Sequence, residues 1–308
     1  MQKIYQQTIK KPIFFKGIGL HSGKISNVRL IPSEANQGII FKRTDVKENN
    51  IIKANFKNVT TTNLSTTLEN SFGYKVSTVE HLLAAFYIVG IDNAIVEIDN
   101  EEIPIMDGSS KDFVEMLKKS GEKKLGTKRK FLKILKKVEF KEKEKTISIE
   151  PNDLSFEVNF QLNYSNDIIG KQENSINFFN DNLEDVYSSR TFCLFEDIEN
   201  IKKRGLAKGG SLQNAIVVDK EKILNENGLR NKKEFVNHKI LDLAGDFLLS
   251  GYRILGTVNC QQGGHQLSNL FLRKLLKSES SFVKIELNDI VLTKKSELSQ
   301  SVKIAVNA

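Results

Sequence analysis

Alternating apolar and polar positions dominate the first part of the chain and predict β-strands there. Three such segments, separated by Gly, Asn and Ser turns, lie at residues 11–17, 26–32 and 38–43. A helix, a strand and a second helix are expected next, at residues 78–90, 91–98 and 110–120. The two helices are predicted to end at glycines, Gly90 and Gly121, because glycine tolerates the conformation that closes a helix.

The second part of the chain repeats this order of elements. Strands, a helix, a strand and a final helix are expected at residues 145–149, 155–164, 234–251, 252–260 and 266–277. The repetition predicts two copies of one α+β unit. We therefore expect two domains, at residues 1–125 and 130–308, joined by a linker at residues 121–128.

Composition narrows the class of protein. The chain has 308 residues, of which 39% are hydrophobic and 27% charged, which suits two domains or one large one with substantial cores. No apolar run reaches the roughly 20 residues that cross a bilayer, and the first residues lack the apolar region of a signal peptide. Cys193 and Cys260 have no metal or redox spacing, so we expect free thiols in a reduced cytoplasm.

The net charge of +8 indicates anionic partners, such as phosphorylated substrates or an acidic membrane face. The chain has no Trp and no nucleic-acid-binding motif, so we expect no nucleic-acid partner.

The four histidines carry the strongest functional signal. Three of them stand beside carboxylates or glycines: His81 follows Glu80, His238 precedes Asp242 and Asp246, and His265 follows two glycines. In a helix, His238 and Asp242 lie one turn apart on the same face. Two His and one Asp form a common ligand set for catalytic zinc, with His81 supplied from the first domain. Iron(II) is an alternative occupant of the same set.

Structural alternatives compete with this interpretation. His238 and Asp242 at this spacing also occur as a hydrogen-bonded pair on a helix surface. Glu80 suits a general base, because its neighbour in sequence would bind the metal. However, residues 77–80 also fit a capping box, in which Glu80 would reach back to the start of its helix.

With these residues, the chain resembles the family of UDP-3-O-acyl-N-acetylglucosamine deacetylases, zinc amidases of lipid A biosynthesis in the Gram-negative cytoplasm. The resemblance rests on an ordered set of short motifs that covers nearly the whole chain, at residues 17–23, 77–82, 90–93, 103–109, 189–192, 204–206, 209–211, 238–246 and 264–265. Each motif is weak alone, whereas the ordered set is specific.

The resemblance implies two domains of similar topology, each a β-sheet with helices, with the helices packed between the two sheets. The first domain would supply Glu80 and His81, and the second would supply the remaining site residues. It also implies a β-α-β insertion near residues 195–219 that forms a passage for an acyl chain.

The resemblance assigns roles to individual residues. His81, His238 and Asp242 would be the zinc ligands, one ion per chain, and Glu80 the general base. His265 would act as general acid or electrostatic stabiliser, oriented by Asp246. Thr191 would stabilise the oxyanion, and Lys239 would contact the substrate near the metal.

Substrate-binding positions follow from the same resemblance, at Leu64, Lys145, Leu162, Phe192, Asp197, Gly210, Ser211, Ala215 and His21. Leu162 stands where the family has an aromatic residue under the uracil ring, and Tyr164 lies on the same strand face. Lys145 is equally well explained as surface charge in its Lys/Glu run. His21 would contact the nucleotide or fix its own turn.

The implied reaction is hydrolysis of the N-acetyl group of a UDP-3-O-(3-hydroxyacyl)-N-acetylglucosamine, with water as the second substrate. We expect a monomer without a transmembrane segment, and a transient contact with the inner membrane face is left open. The alternatives are another single-zinc amidase, peptidase or phosphoesterase, and an inactive homologue that binds a sugar nucleotide or lipid. The sequence lacks His-Glu-x-x-His and clustered two-metal carboxylates.

Overall fold

A computed structural model describes residues 3–286 of the chain. The part of the predicted second domain at residues 287–308 lies outside the described residues. Where a domain boundary falls between the two repeats stays a prediction.

The first repeat consists of short strands and two helices. Its strands are β1 (Tyr5–Ile9), β2 (Ile13–Ile18), β3 (Ile25–Pro32), β4 (Ile39–Arg43), β5 (Ile51–Lys53), β6 (Val59–Thr61), β7 (Thr67–Glu69), β8 (Lys75–Val76) and β9 (Ala94–Ile98). Helix α1 (Glu80–Val89) precedes β9, and helix α2 (Lys111–Ser120) follows it. The helix ends at Gly90 and Gly121 agree with the sequence prediction.

The second repeat is longer. Its strands are β10 (Glu122–Lys128), β11 (Lys130–Ile134), β12 (Val138–Glu142), β13 (Lys145–Pro151), β14 (Phe156–Asn163), β15 (Lys171–Asn177), β16 (Phe192–Leu194), β17 (Ile216–Val218), β18 (Arg253–Gln261) and β19 (Phe282–Glu286). Its helices are α3 (Glu184–Tyr187), α4 (Ile198–Lys203), α5 (Glu234–Leu248) and α6 (His265–Lys277).

The main sheets of the two repeats share one strand order. The first runs β2-β3-β9-β4-β5, and the second contains β12-β13-β18-β14-β15. Directions correspond as well, since β4 is parallel to β9 and β14 is parallel to β18, while the other pairs are antiparallel. The predicted α+β fold with a duplicated topology is therefore confirmed.

Helices α1 and α5 form the centre of the molecule. All residues of α1 except Ile88 and all of α5 except Lys239 are buried, as expected of helices covered on every side. The most extensive contact between two helices joins α1 to α5. A Cβ atom at Gly245 would collide with the backbone carbonyl of Glu80, so this close crossing requires glycine. The crossing brings residues of both repeats to one place.

The segment at residues 121–128, which the sequence suggests as a linker, contains a β-strand. These residues form β10, which pairs antiparallel with β1 and turns Leu125 into the core. The lysines that made the segment look like a solvated connection occupy the exposed positions of a two-stranded sheet. One buried leucine in a lysine-rich segment gives too weak a pattern to predict a strand.

A parallel pair, β16 and β17, flanks α4 and forms a β-α-β excursion. It begins at Phe192, three residues before the predicted insertion. Among residues 3–286, no helix has both the length and the apolar character needed to cross a membrane.

Candidate metal centre

Three potential ligand atoms converge where α1 crosses α5. One ligand atom from each of His81, His238 and Asp242 lies within 4.8 Å of the other two, and all three residues are buried. Asp242 Oδ1 lies 3.5 Å from His81 Nε2 and 3.4 Å from His238 Nε2. Ligands about 2.0–2.2 Å from a tetrahedral zinc ion are separated by about 3.4 Å, so the spacing fits such an ion.

One carboxylate oxygen of this group has no partner among the protein atoms. Among the described residues, Asp242 Oδ1 has no hydrogen-bond partner although it is buried. An orphaned buried carboxylate oxygen is costly, and a cation would stabilise it. Two imidazoles and this carboxylate therefore fit a metal ion.

The backbone of a neighbouring segment orients His238. Its Nδ1 lies 3.0 Å from the carbonyl oxygen of Ser189, to which it donates, so that Nε2 is left with a lone pair directed at the centre. A buried pair between Arg190 and Glu234, 2.8 Å apart, fixes this segment to the first turn of α5. The sequence analysis did not identify Ser189 or Glu234 as supports of the site.

Burial and neighbouring charge keep His238 and Asp242 in the forms that bind a metal. Burial lowers the pKa of His238 to about 3, so its imidazole is neutral. Burial alone would favour the neutral acid of Asp242, but the cationic side chains of Lys239 and His265 hold the pKa of this carboxyl well below its usual range. Lys239 Nζ donates to Asp242 Oδ2 at 3.0 Å. The second oxygen of Asp242 is thereby occupied while the first faces the histidines.

A second group of titratable side chains lies beside the ligands. His265, the first residue of α6, has its Nδ1 2.9 Å from Asp246 Oδ2 and its Nε2 3.6 Å from Glu80 Oε1. Thr66 links the same group, because its hydroxyl donates to Asp246 Oδ1 at 2.7 Å and its backbone N–H donates to Glu80 Oε2 at 3.0 Å. Thr66 contacts Asp246 across 180 sequence positions, and no local pattern predicts that contact.

The pKa values of His265 and Glu80 are both raised above their ordinary values. Burial opposes the charged form of His265, yet Asp246, Glu80 and Asp242 together raise its pKa to about 10. Burial raises the pKa of Glu80, against the opposing effect of His265 and His81. A cationic imidazole and a carboxyl group with a raised pKa thus lie together near the three ligand atoms. Such strongly perturbed groups in a cleft are typical of a catalytic site.

The capping-box alternative for Glu80 is wrong. Helix α1 begins after Val79, which provides no side-chain cap, and Ser77 instead donates to the carbonyl of Glu101. The Glu80 carboxylate turns toward Thr66 and His265 rather than toward the start of its own helix. The surface-pair alternative for His238 and Asp242 is also wrong, since both are buried.

A cavity of about 940 Å³ opens onto this centre. It is lined by ten of the predicted catalytic and substrate-binding residues, namely Thr191, Lys239, His265, Leu64, Lys145, Phe192, Gly210, Ser211, Ala215 and His21. The apolar wall comes from the β-α-β excursion, including Ile198, Ile201 and Val217. The Phe192 ring packs edge-on against Phe235 and Tyr164 and lies 5.5 Å from Lys239 Nζ.

Two predicted substrate-binding residues do not line this cavity. Leu162 is buried within the core, because the strand alternation of β14 turns it away from the solvent. Tyr164, two residues later, lines the cavity instead. Asp197 is exposed at the start of α4 and is absent from the cavity lining, although Phe195 and Ile198 on either side of it belong to that lining.

His21 lies in a turn that a buried carboxylate holds. Glu102 accepts hydrogen bonds from the backbone N–H groups of His21 and Ser22, at 2.8 and 2.7 Å, and from the Thr78 hydroxyl at 2.9 Å. Burial lowers the pKa of His21, so its ring is neutral. The sequence analysis placed Glu102 next to a motif but assigned it no role.

Known proteins are similar to this chain over most of its length. A family model described as LpxC, UDP-3-O-acyl N-acetylglycosamine deacetylase, matches residues 6–277. A UDP-3-O-acyl-N-acetylglucosamine deacetylase of Geotalea uraniireducens is 40% identical over 92% of each chain. Proteins of the same name from Syntrophus aciditrophicus and a Psychrobacter species are 39% and 40% identical, over 90% and 92% of this chain and 88% and 96% of theirs.

Proposed function

Because the chain belongs to the family of UDP-3-O-acyl N-acetylglycosamine deacetylases, we propose that it removes the N-acetyl group of a UDP-3-O-(3-hydroxyacyl)-N-acetylglucosamine and releases acetate. This reaction is the committed step of lipid A biosynthesis. The observation that carries the proposal is the convergence of His81, His238 and Asp242 beside Glu80 and His265.

Zinc is the metal we propose for the three ligands. When bound, it polarises the amide carbonyl and lowers the pKa of water to about 7. Iron(II) remains the alternative for the same ligand set.

Glu80 and His265 would divide the proton transfers between them. Glu80 Oε1 accepts a proton from the attacking water, and the raised pKa of this buried carboxyl makes it a better base than an exposed glutamate. His265 Nε2, on the other side of the pair, gives a proton to the leaving glucosamine nitrogen. Asp246 keeps the ring oriented through Nδ1. A free amine and acetate are the products.

Thr191 and Lys239 would stabilise the negative charge that develops on the carbonyl oxygen. Both line the catalytic cavity. A donor of this kind contributes about 2.7–4 kcal/mol to transition-state stabilisation. The ion pair with Asp242 raises the pKa of Lys239 against the effect of burial, so its ammonium stays charged.

The lining of the cavity has apolar and polar side chains that suit the two ends of the substrate. Apolar side chains of the β-α-β excursion suit the acyl chain, whereas Lys145, Tyr164 and His21 suit the nucleotide. We expect the enzyme to work as a monomer in the cytoplasm.

The experiment is mass spectrometry of the acylated UDP-N-acetylglucosamine after incubation with zinc-loaded protein. We expect the free amine and acetate, with much slower release from the analogue without the acyl chain. The Glu80→Gln variant serves as the folded control. If zinc-loaded wild-type protein releases no more acetate than Glu80→Gln, the chain is a binding homologue and the proposal is wrong.

A further inference from the structure

A second large cavity lies on the far side of the molecule from the metal centre. This rear cavity, of about 940 Å³, is lined chiefly by residues 53–57, 250–253 and 282–284, together with Asp92, Arg129 and Lys130. Arg253 begins β18, and Gln261 ends it next to the catalytic cavity. Since a strand rises about 3.3 Å per residue, the two ends lie about 26 Å apart. The rear cavity is therefore a separate place on the fold.

The rear cavity carries an excess of positive charge. Six cationic side chains line it, against the two carboxylates of Asp92 and Glu279: Lys53, Lys57, Arg129, Lys130, Arg253 and Lys284. The four lysines are exposed, and within residues 3–286 none of them forms an ion pair. Lys57 and Lys284 lie over the rings of Phe56 and Tyr252, at 6.0 and 5.1 Å, and an ammonium group in that position keeps N–H donors for a ligand.

Two buried guanidinium groups at the base of the cavity share one carboxylate. Asp92 accepts from Arg129 at 2.7 Å and lies 3.6 Å from Arg253 Nε. Both arginines are buried, and within the described chain the Nε atoms of both lack a hydrogen-bond partner. Burial and the nearby charge of Arg129 lower the pKa of Arg253. One positive charge at the base is thus not balanced by a side chain.

The backbone reduces this excess without removing it. The arginines donate to carbonyls at the end of α1, such as those of Phe86 and Gly90, and α5 also ends at the cavity, at Leu248. Each helix end contributes roughly half a negative charge. Subtracting both ends and the two carboxylates from the six cations still leaves an excess of roughly three positive charges. An anion is the ligand that such a cavity favours.

We propose that the rear cavity binds a phosphate group, on a free phosphorylated metabolite or on a lipid headgroup. Lysine and arginine side chains form charge-assisted hydrogen bonds with phosphate oxygens. Tyr252 and Phe56 add apolar surface for the remainder of the ligand. The proposal does not depend on the catalytic function, because none of these residues lines the catalytic cavity.

The test compares two charge-matched double variants of the metal-loaded protein. Lys53→Gln with Lys284→Gln removes two cations from the rear cavity. Lys123→Gln with Lys136→Gln removes two exposed lysines that line neither this cavity nor the catalytic one. Acetate release should be unchanged in both, which verifies that the variants are folded and separates this proposal from the catalytic one.

Isothermal titration calorimetry with inorganic phosphate tests the free ligand, and sedimentation with phosphatidylglycerol vesicles tests the headgroup. We expect the rear-cavity variant to bind roughly tenfold more weakly than wild type, while the control variant binds normally. If the rear-cavity variant loses affinity for inorganic phosphate alone, the ligand is a soluble metabolite. If it loses affinity for the vesicles alone, the ligand is a lipid. If neither probe binds, or if both variants bind like wild type, the proposal is wrong.

Discussion

At the scale of single residues, the neighbouring charges determine which form a buried histidine takes. His238 and His265 are both buried, yet one is neutral, with a pKa of about 3, and the other is cationic, with a pKa of about 10. The difference arises because His265 faces three carboxylates, whereas His238 faces one carboxylate together with His81 and Lys239. The same side chain therefore suits metal binding in one position and proton transfer in the other.

Proton transfer and metal binding should separate by mutation. Glu80→Gln and His265→Gln preserve side-chain size and remove the groups that move protons, so kcat should fall about 10²–10⁴-fold. Neither residue is a proposed ligand, so zinc content measured by mass spectrometry should stay at wild-type level. A parallel loss of zinc and activity in Glu80→Gln would instead make Glu80 a ligand.

The acid role of His265 predicts a pH effect. A general acid is active below its pKa and inactive above it, and Asp246 raises the pKa of His265. Asp246→Asn removes that negative charge and lowers this pKa, so the alkaline limb of the kcat profile should move to lower pH. Thr66→Val, which removes only the hydroxyl that donates to Asp246, is the control. If kcat of Asp246→Asn drops at every pH while the alkaline limb of its pH profile stays at the wild-type position, Asp246 has a purely structural role.

At the scale of elements, the turn at residues 19–22 and the start of α1 are joined through Glu102. The two carboxylate oxygens of Glu102 accept hydrogen bonds from three donors. Glu102→Gln replaces one of these oxygens with an NH₂ group, which cannot accept, so at least one of the donors loses its partner. The free energy of unfolding should fall by about 1–3 kcal/mol. Denaturant titration checks this, with exposed Glu101→Gln as the matched control. Equal stability losses for the two neighbours would contradict the assigned role.

The β-α-β excursion predicts dependence on acyl-chain length. Each methylene removed from water contributes about 0.8 kcal/mol, so a long chain should bind far better than a short one. Ala215→Phe narrows the cavity at a buried position and should reduce kcat/KM for the long-chain substrate more than for a short-chain analogue. Gln213→Phe, exposed and outside the lining, should change neither. Equal losses for both substrates with Ala215→Phe would place the acyl chain elsewhere.

At the scale of the whole molecule, much of the fold could be predicted from the sequence. Helices α1, α2, α5 and α6 and strands such as β3, β14 and β18 were located to within a few residues because their apolar periodicity is strong, whereas α3 and β15 were not predicted. The repeated order of elements along the chain was visible for the same reason. The segment at 122–128 was missed because its pairing with β1 depends on residues more than a hundred positions away.

The ligand set of the candidate site was also accessible from sequence, since His238 and Asp242 lie one turn apart on one helix. The roles of Thr66 and Glu102 could not be predicted from the sequence, because each residue acts through a contact between distant segments that leaves no local pattern. Leu162 was assigned to the substrate from family position alone, whereas the strand alternation buries it. Roles fixed by tertiary contacts need the structure.

The central claim is that one metal, held between the two repeats by His81, His238 and Asp242, supports amide hydrolysis. The most direct measurement is metal content and acetate release on the same samples of wild type, His238→Ala and His21→Asn. Wild type and His21→Asn should each hold one equivalent of zinc, because His21 lies outside the ligand set. His238→Ala should lose most of its zinc and its acetate release together. A His238→Ala protein that keeps a full equivalent of zinc, or that releases acetate at the wild-type rate without it, would contradict the account.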